Sequence, residues 1–363
     1  MMRLRRTLTL GALVALVLAA SACPPPPTAR YQRAQAQASL KKLGTPGLVI
    51  GEFTLTKVTD GDTVRVDGLD SSLRLVGLDS EETFKNDYDR RGADTDFEEY
   101  LSDKRKGKHP VKAATPMGDA AKDFAKQFFH DHVRVRVERD DPRELRDLYN
   151  RYLAYVFVER DGVWVNYNVE CVRAGMSPYF MKYGYSRRFH AEFVAAEAEA
   201  KAAQRGIWDP ATQHYPDYAE RYAWWSARGE FLARYQRQAD TDPSFVVLNH
   251  WDALKRIEER EGKEVTVLST VAEIRLGDRG PTKVLLGRRF PLIFFDKDVF
   301  ASSQIADWRG EFIVVKGVVT SYINKYNKRK QLQIVVDRAA QLTLSPIPGL
   351  GVPPSTTPVG SNP

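Results

Sequence analysis

The sequence predicts an α+β chain, mainly β, in which two small barrels follow one another and helices pack on the first. Short apolar or alternating runs separated by Asp and Gly turns come in two sets, either side of a helical stretch. A length of 363 residues also exceeds one ordinary domain. With 43% hydrophobic and 28% charged residues, both cores can be filled while the surface stays polar.

The chain opens on a basic start, Met1 to Arg6, an apolar run from Leu8 to Ala20 and the small residues Ser21 and Ala22. That order reads as an export signal over 1–22, too short for a useful transmembrane helix. Cys23 follows directly, so the segment resembles a bacterial lipoprotein signal with Cys23 as the lipidated residue. It departs in having Ala20 where leucine is usual. The resemblance implies a lipid anchor in a cell-envelope membrane, or else a periplasmic or secreted protein. Arg3, Arg5 and Arg6 lie in this segment, and removing it takes the formal charge from +7 to +4. The remaining positive balance leans only mildly towards an anionic partner. With Cys23 lipidated, Cys171 has no partner, so no disulfide is expected and Cys171 reads as a small buried apolar group. The chain is expected to be a monomer.

Residues 23–47 run from Cys23 into four prolines and read as an extended linker. The first globular unit spans 48–209. Leu48 to Val58, Thr63 to Val66 and Leu73 to Leu78 predict three strands in an antiparallel meander. A charged tract from Phe84 to about Pro116 breaks the periodicity and reads as a long functional or disordered loop. Met117 to Phe129 has helical spacing, Val133 to Val137 alternates as a strand, and Tyr152 to Val158 is another strand turned at Asp161-Gly162. Val165 to Arg173 and Arg187 to Gln204 read as helices stopped by glycines. The connector, 210–244, carries an aromatic stripe at helical intervals, Tyr218, Tyr222, Trp225, Phe231 and Tyr235, expected to cover one or both neighbours.

The second unit, 245–344, orders its runs as three strands (Val265 to Leu276, Lys283 to Leu286, Phe290 to Phe295), a helix (Asp298 to Trp308) and a final hairpin (Phe312 to Ile323, Gln331 to Val336). That is the order of a five-stranded OB barrel. The hairpin tip interleaves tyrosine with cations. Lys325, Tyr326, Lys328 and Arg329 are candidate nucleic-acid contacts, or else solvated residues that keep an edge soluble. The tail, 345–363, rich in Pro, Gly, Ser and Thr, is expected to be disordered.

The chemistry concentrates in Asp60-Gly61-Asp62-Thr63 and in Arg74 to Glu82. Phosphodiester hydrolysis needs carboxylates for a hard divalent cation, a group that orients water, and fixed cations for the charge that grows in the transition state. Asp62, Asp79, Glu82 and Arg74 supply those types, and a second arginine must come from elsewhere in the chain. Taken singly, each has a plainer reading: Asp beside Gly satisfies turns, and arginines decorate strands.

Together, the DGDT turn, Arg74 to Glu82 as R-x-x-x-x-D-x-x-E, Tyr149 to Tyr155 as Y-x-R-x-L-A-Y, and Gly206-Ile207-Trp208 resemble the thermonuclease family of staphylococcal-nuclease-like domains, over roughly Leu48 to Trp208. The resemblance implies a five-stranded OB barrel with packed helices and a calcium-dependent nuclease that cuts DNA, and also RNA, to 3′-phosphate ends. It implies Asp62, Asp79 and the Ser80 carbonyl as calcium ligands, Glu82 as the general base, and Arg74 and Arg151 as the pair gripping the phosphate. Tyr149 matches a nucleotide contact. Tyr179, Phe180, Tyr183 and Tyr185 are all candidates for an aromatic platform, with Tyr179 taken first. Three departures stand out: Glu81 replaces a proline, Leu148 replaces a lysine, and the tract from Phe84 replaces a shorter loop. Glu81 is therefore an extra carboxylate within reach of the metal. The alternatives are a non-catalytic nucleic-acid-binding envelope lipoprotein and an envelope scaffold with no nucleic-acid role.

Overall fold

A computed structural model describes residues 48–105, 110–129, 134–144, 146–147, 149–278, 280–323 and 328–347. Cys23, Lys325, Tyr326, the signal, the linker and most of the tail lie outside the described residues.

Five strands close the first barrel: β1 (Val49–Asp60), β2 (Thr63–Val66), β3 (Leu73–Leu75), β4 (Arg134–Glu138) and β5 (Tyr152–Arg160). β1 pairs antiparallel with β2 and β4, β2 with β3, and β4 with β5. A parallel pairing of β3 on β5, Leu73 opposite Tyr152 and Arg74 opposite Leu153, shuts the ring. Alternation along the strands sends Phe53, Val64, Leu73, Leu75, Val135 and Val137 into one core. β6 (Val163–Asn166) extends the sheet beyond β5 and takes the first two residues expected in the following helix.

The charged tract is not all loop over its described residues. It forms α1 (Asp87–Thr95) and α2 (Phe97–Lys104), capped by the side chains of Asn86 and Asp96, which accept from the amides of Asp89 and Glu99. Caps with acidic first turns favour short helices here, and Ala93, Tyr100 and Leu101 supply their buried face. α3 (Pro116–Phe128) follows, with Thr115 as its cap and proline in its first turn. α4 (Tyr167–Arg173) and α5 (His190–Ala202) pack on one another, and Cys171 is buried as a small apolar group.

α6 (Tyr218–Thr241) is the connector. Tyr218, Trp224 and Trp225 join the first core, while Phe231 and Leu232 pack with Phe245, Leu268 and Phe312 of the second sheet. Its buried Arg228 forms an ion pair with buried Glu311.

Beyond it run β7 (Phe245–Val247), α7 (Ala253–Glu258), β8 (Glu264–Arg275), β9 (Thr282–Leu286), β10 (Phe290–Phe294), α8 (Lys297–Ser302), β11 (Phe312–Ile323), β12 (Lys330–Val335) and β13 (Leu342–Leu344). The pairs β8–β9, β9–β10, β11–β12 and β8–β11 are antiparallel, and β10 on β12 is parallel. Those five close a ring in the order the first barrel uses, with β7 and β13 added outside it. The tail expected to be disordered from 345 is packed over its first three residues: the Trp308 indole donates to the Ser345 carbonyl at 2.6 Å, the Trp224 indole donates to that of Pro346 at 3.2 Å, and Ile347 enters the second core. Buried indole N–H groups need acceptors, and these carbonyls supply them.

Candidate active site

The β1–β2 turn is built around Gly61. A side chain there would come within 2.8 Å of the Ala121 Cβ and 3.0 Å of the Ser80 Cβ, so glycine lets α3 and the 79–82 loop close on the turn. The buried Tyr167 hydroxyl donates to the Gly61 carbonyl at 2.8 Å and fixes its other side. Asp62 leaves this turn with its Oδ1 accepting from the Thr63 hydroxyl at 2.8 Å.

Arg74 is the outward residue of three-residue β3, paired with Thr63 on one side and Leu153 on the other. Its guanidinium forms ion pairs with Asp62 and, at 2.9 Å, with Asp79. All three side chains are only 11–12% exposed, so each charge depends on the others to offset its lost hydration. Burial works against Asp79, yet Lys112, Arg74 and Lys182 outweigh it and hold its carboxyl below the usual range. The Asp79 amide donates to the Ser177 hydroxyl at 2.9 Å, which fixes the backbone that carries the carboxylate. Burial, followed by the charge of Asp62, pushes Asp60 up to about 7.

Glu81 does not face this set. Its carboxylate accepts from the Thr115 hydroxyl, from the Tyr215 amide at 2.8 Å and from the Tyr218 hydroxyl at 2.7 Å. The expected extra metal ligand is thus a buried tie between the α3 cap and the start of α6, with its pKa raised by burial. Glu81 turns inward, and Glu82 beside it is half-buried. The Glu82 carbonyl accepts from the Thr115 amide at 3.0 Å, and Gly118 lies so close that a Cβ there would fall 2.0 Å from that oxygen. The backbone of the candidate base is therefore clamped by the N-terminus of α3.

Arg151 is placed by an Asx-type turn. Asp147 Oδ1 accepts from the amides of Tyr149 and Arg151, both at 2.9 Å, and Asn150 takes the left-handed conformation that asparagine tolerates. Its guanidinium is held through Nε and Nη2 by Asp147 Oδ2 at 2.7 Å, apart from the Asp62–Arg74–Asp79 set. It precedes the residue of β5 that pairs with β3 beside Arg74. Tyr149 is 70% exposed, its ring 5.4 Å from the Arg151 guanidinium.

Tyr179 is a correction. Its ring stacks on Phe193 at 4.7 Å, its hydroxyl accepts from the Ser186 amide, and it is 1% exposed. No face of it is left for a nucleotide. Of the four aromatic candidates Tyr183 is the exposed one, at 55%, while Phe180 is buried beneath the Arg74 guanidinium. Lys328 and Arg329 are exposed between β11 and β12. Sequence reasoning missed Lys112, whose Nζ lies 3.5 Å from Asp79 Oδ1, and Lys182, whose charge acts on the same carboxylate. Nothing in their local pattern marks either one.

The oxygens of Asp62 and Asp79 suit a hard cation in kind, because both converge on one buried point of positive charge. Among the described residues, no group of three or more His, Cys, Asp or Glu side chains converges, so the rest of a shell of about six to eight oxygens would come from backbone and water.

The model of the family described as staphylococcal nuclease homologues matches residues 72–210. Thermonuclease of Staphylococcus intermedius is 30% identical over 182 residues, which is 49% of this chain and 88% of that protein. The chain belongs to the staphylococcal nuclease family. An uncharacterized protein of Methanocaldococcus jannaschii is 31% identical over 167 residues, covering 43% of this chain and 70% of that one. Endonuclease YhcR of Bacillus subtilis is 29% identical over 179 residues, 47% of this chain but 12% of that protein. The matched family segment contains Arg74, Asp79, Glu82 and Arg151, while Asp62 lies just before it.

Proposed function

We propose that this chain is a calcium-dependent endonuclease that hydrolyses phosphodiester bonds of DNA, and also RNA, leaving 3′-phosphate ends. The observation that carries the reading is the convergence of Asp62 and Asp79 on Arg74 in a member of a nuclease family. Asp62, Asp79 and the carbonyl of Ser80 would hold the cation, which when bound supplies charge neutralisation to a non-bridging phosphate oxygen. Arg74, aimed between two anions, would offer its fork to the phosphate, because a guanidinium can give two parallel hydrogen bonds and stays charged. Glu82, with its backbone clamped by α3, orients water and accepts its proton. Arg151 keeps its posture through Asp147, which occupies Nε and Nη2 and leaves the Nη1 edge for phosphate. Tyr149 and Tyr183 offer exposed rings to bases near the cut.

The second barrel, with Lys328 and Arg329 beside Lys325 and Tyr326, is proposed to hold the nucleic acid as an OB domain does. The segment through Cys23 places the protein, on this reading, at the cell envelope on a lipid anchor or in the space around it. Incubating the purified chain with DNA in calcium and in chelator tests the reading. Cleavage only in calcium, with 3′-phosphate ends, is the expected result. DNA bound tightly yet left intact in calcium would replace it by the reading of a non-catalytic binding protein.

A further inference from the structure

The charged tract after Phe84 builds one wall of a cavity of about 300 Å³ whose other wall is the loop carrying Glu82. Glu82, Lys85, Asn86, Tyr100, Lys104 and Lys112 line it. That volume stands at the low end of small-molecule sites, roughly 300–1,000 Å³. Its charges are unevenly committed. Lys104 is held 2.5 Å from Asp89, and Asn86 both caps α1 and donates to Asp89 at 3.0 Å, so these three form a wall already satisfied within itself. Lys85 is exposed on that wall. Lys112 belongs at once to the cavity and to the reaction centre, because its Nζ is 3.5 Å from Asp79. Tyr100 is buried at 7% exposure, packed on Phe97 and under Lys104, so it closes the cavity floor together with Ala113 and Ala114, and its hydroxyl donates to the Ala114 carbonyl at 3.1 Å. Of the two acids in the lining, Asp89 is offset by Lys104, while Glu82 repels an anion, so a phosphate would enter on the side of Lys85 and Lys112.

We propose that this cavity is a nucleotide subsite, filled by the residue of the substrate next to the phosphodiester at Arg74, with its phosphate between Lys85 and Lys112 and its base against the less polar floor that Tyr100, Ala113 and Ala114 line. The proposal rests on the nuclease reading and gives the tract after Phe84 a task, that of extending the bound strand past the cut. Cations placed to meet a phosphate are the electrostatic half of the arrangement single strands favour.

Calorimetric titration of the full chain in chelator, where no cleavage occurs, tests it with three probes: a deoxynucleoside 5′-monophosphate, the parent nucleoside and inorganic phosphate. The monophosphate is expected to bind more tightly than either of the others. Lys85→Glu, at an exposed position, is expected to weaken it about tenfold, the equivalent of ~1.4 kcal/mol. Glu82→Gln, which removes the repelling charge, should bind it at least as tightly as the wild type. A monophosphate that binds no better than inorganic phosphate, or equally well to Lys85→Glu, would overturn the subsite. Failure of the nuclease reading looks different: monophosphate binding sensitive to Lys85 in a chain that never cuts DNA keeps the subsite and removes the hydrolysis.

Discussion

Arg74 sits in the first barrel where β3 crosses between Thr63 of β2 and Leu153 of β5, and the residue at the matching crossing of the second barrel, between Lys283 of β9 and Val335 of β12, is Ile293. The rings close in the same order, yet around Arg74 stand Asp62 and Asp79, whereas β10 is buried throughout, from Phe290 to Phe294. The β1–β2 turn is tight, pressed by α3 and crowned by acids. Its counterpart between β9 and β8 runs over 276–281, with Leu276 exposed at 71%. Closing a barrel therefore does not make a site. A charged crossing requires counter-charges within reach, because an unpaired buried guanidinium is costly. The loops and helices outside the ring provide them.

That contrast can be broken at four points. The largest effect is expected where the two halves meet, at the buried Arg228–Glu311 pair. Arg228→Met strands a buried carboxylate and should cost ~3–5 kcal/mol in denaturant melts. Adding Glu311→Leu should recover most of the loss, and if it recovers none the pair is not what couples α6 to the second barrel. Next come the charged groups of the first barrel. Glu82→Gln or Arg151→Ala should lower kcat by roughly 10²–10³ while DNA binding in a gel-shift assay persists. Unchanged turnover in both would leave the first barrel as inert as the second.

A smaller effect concerns pH. Burial, then the charge of Arg143, lowers His250 from 6.5 to about 4, and neither ring nitrogen has a hydrogen-bond partner among the described residues. The unfolded chain binds the proton more readily between those values, so this histidine's contribution is present above pH 6.5 and is lost as pH falls towards 4. Burial, then Asp141 and Asp140, raise Glu144, bridged to His250, from 4.5 to about 7, so its contribution runs the other way and is lost as pH rises through that range. His250→Phe removes the first term, worth about 3 kcal/mol at most. Thermal melts of the variant should show stability falling from pH 4.5 to 7 more steeply than in the wild type. The smallest change is expected at the hairpin of the second barrel. Lys328→Ala should weaken DNA binding alike for all sequences and reduce the salt slope of log Kd by about one. A slope that does not move would remove that residue from the interface.

Legibility followed the range of the forces involved. Strand periods, the turn at Asp60-Gly61-Asp62, the aromatic stripe of α6 and the strand order of both barrels could be read from the sequence, because alternation and turn chemistry act over a few residues. α1 and α2 were hidden because their caps, Asn86 and Asp96, sit in a tract whose charge masks a narrow buried face.

The sequence by itself determined which residues could do the chemistry and roughly where the strands that carry them begin and end. Tertiary structure alone decided their company. It turned Glu81 inward to Thr115, Tyr215 and Tyr218, buried Tyr179 while exposing Tyr183, and brought Lys112 to Asp79 from 33 residues away and Ser177 from 98. Such meetings depend on how helices seat on a closed barrel, and no local pattern encodes them, since each gains its energy only after the ring has formed.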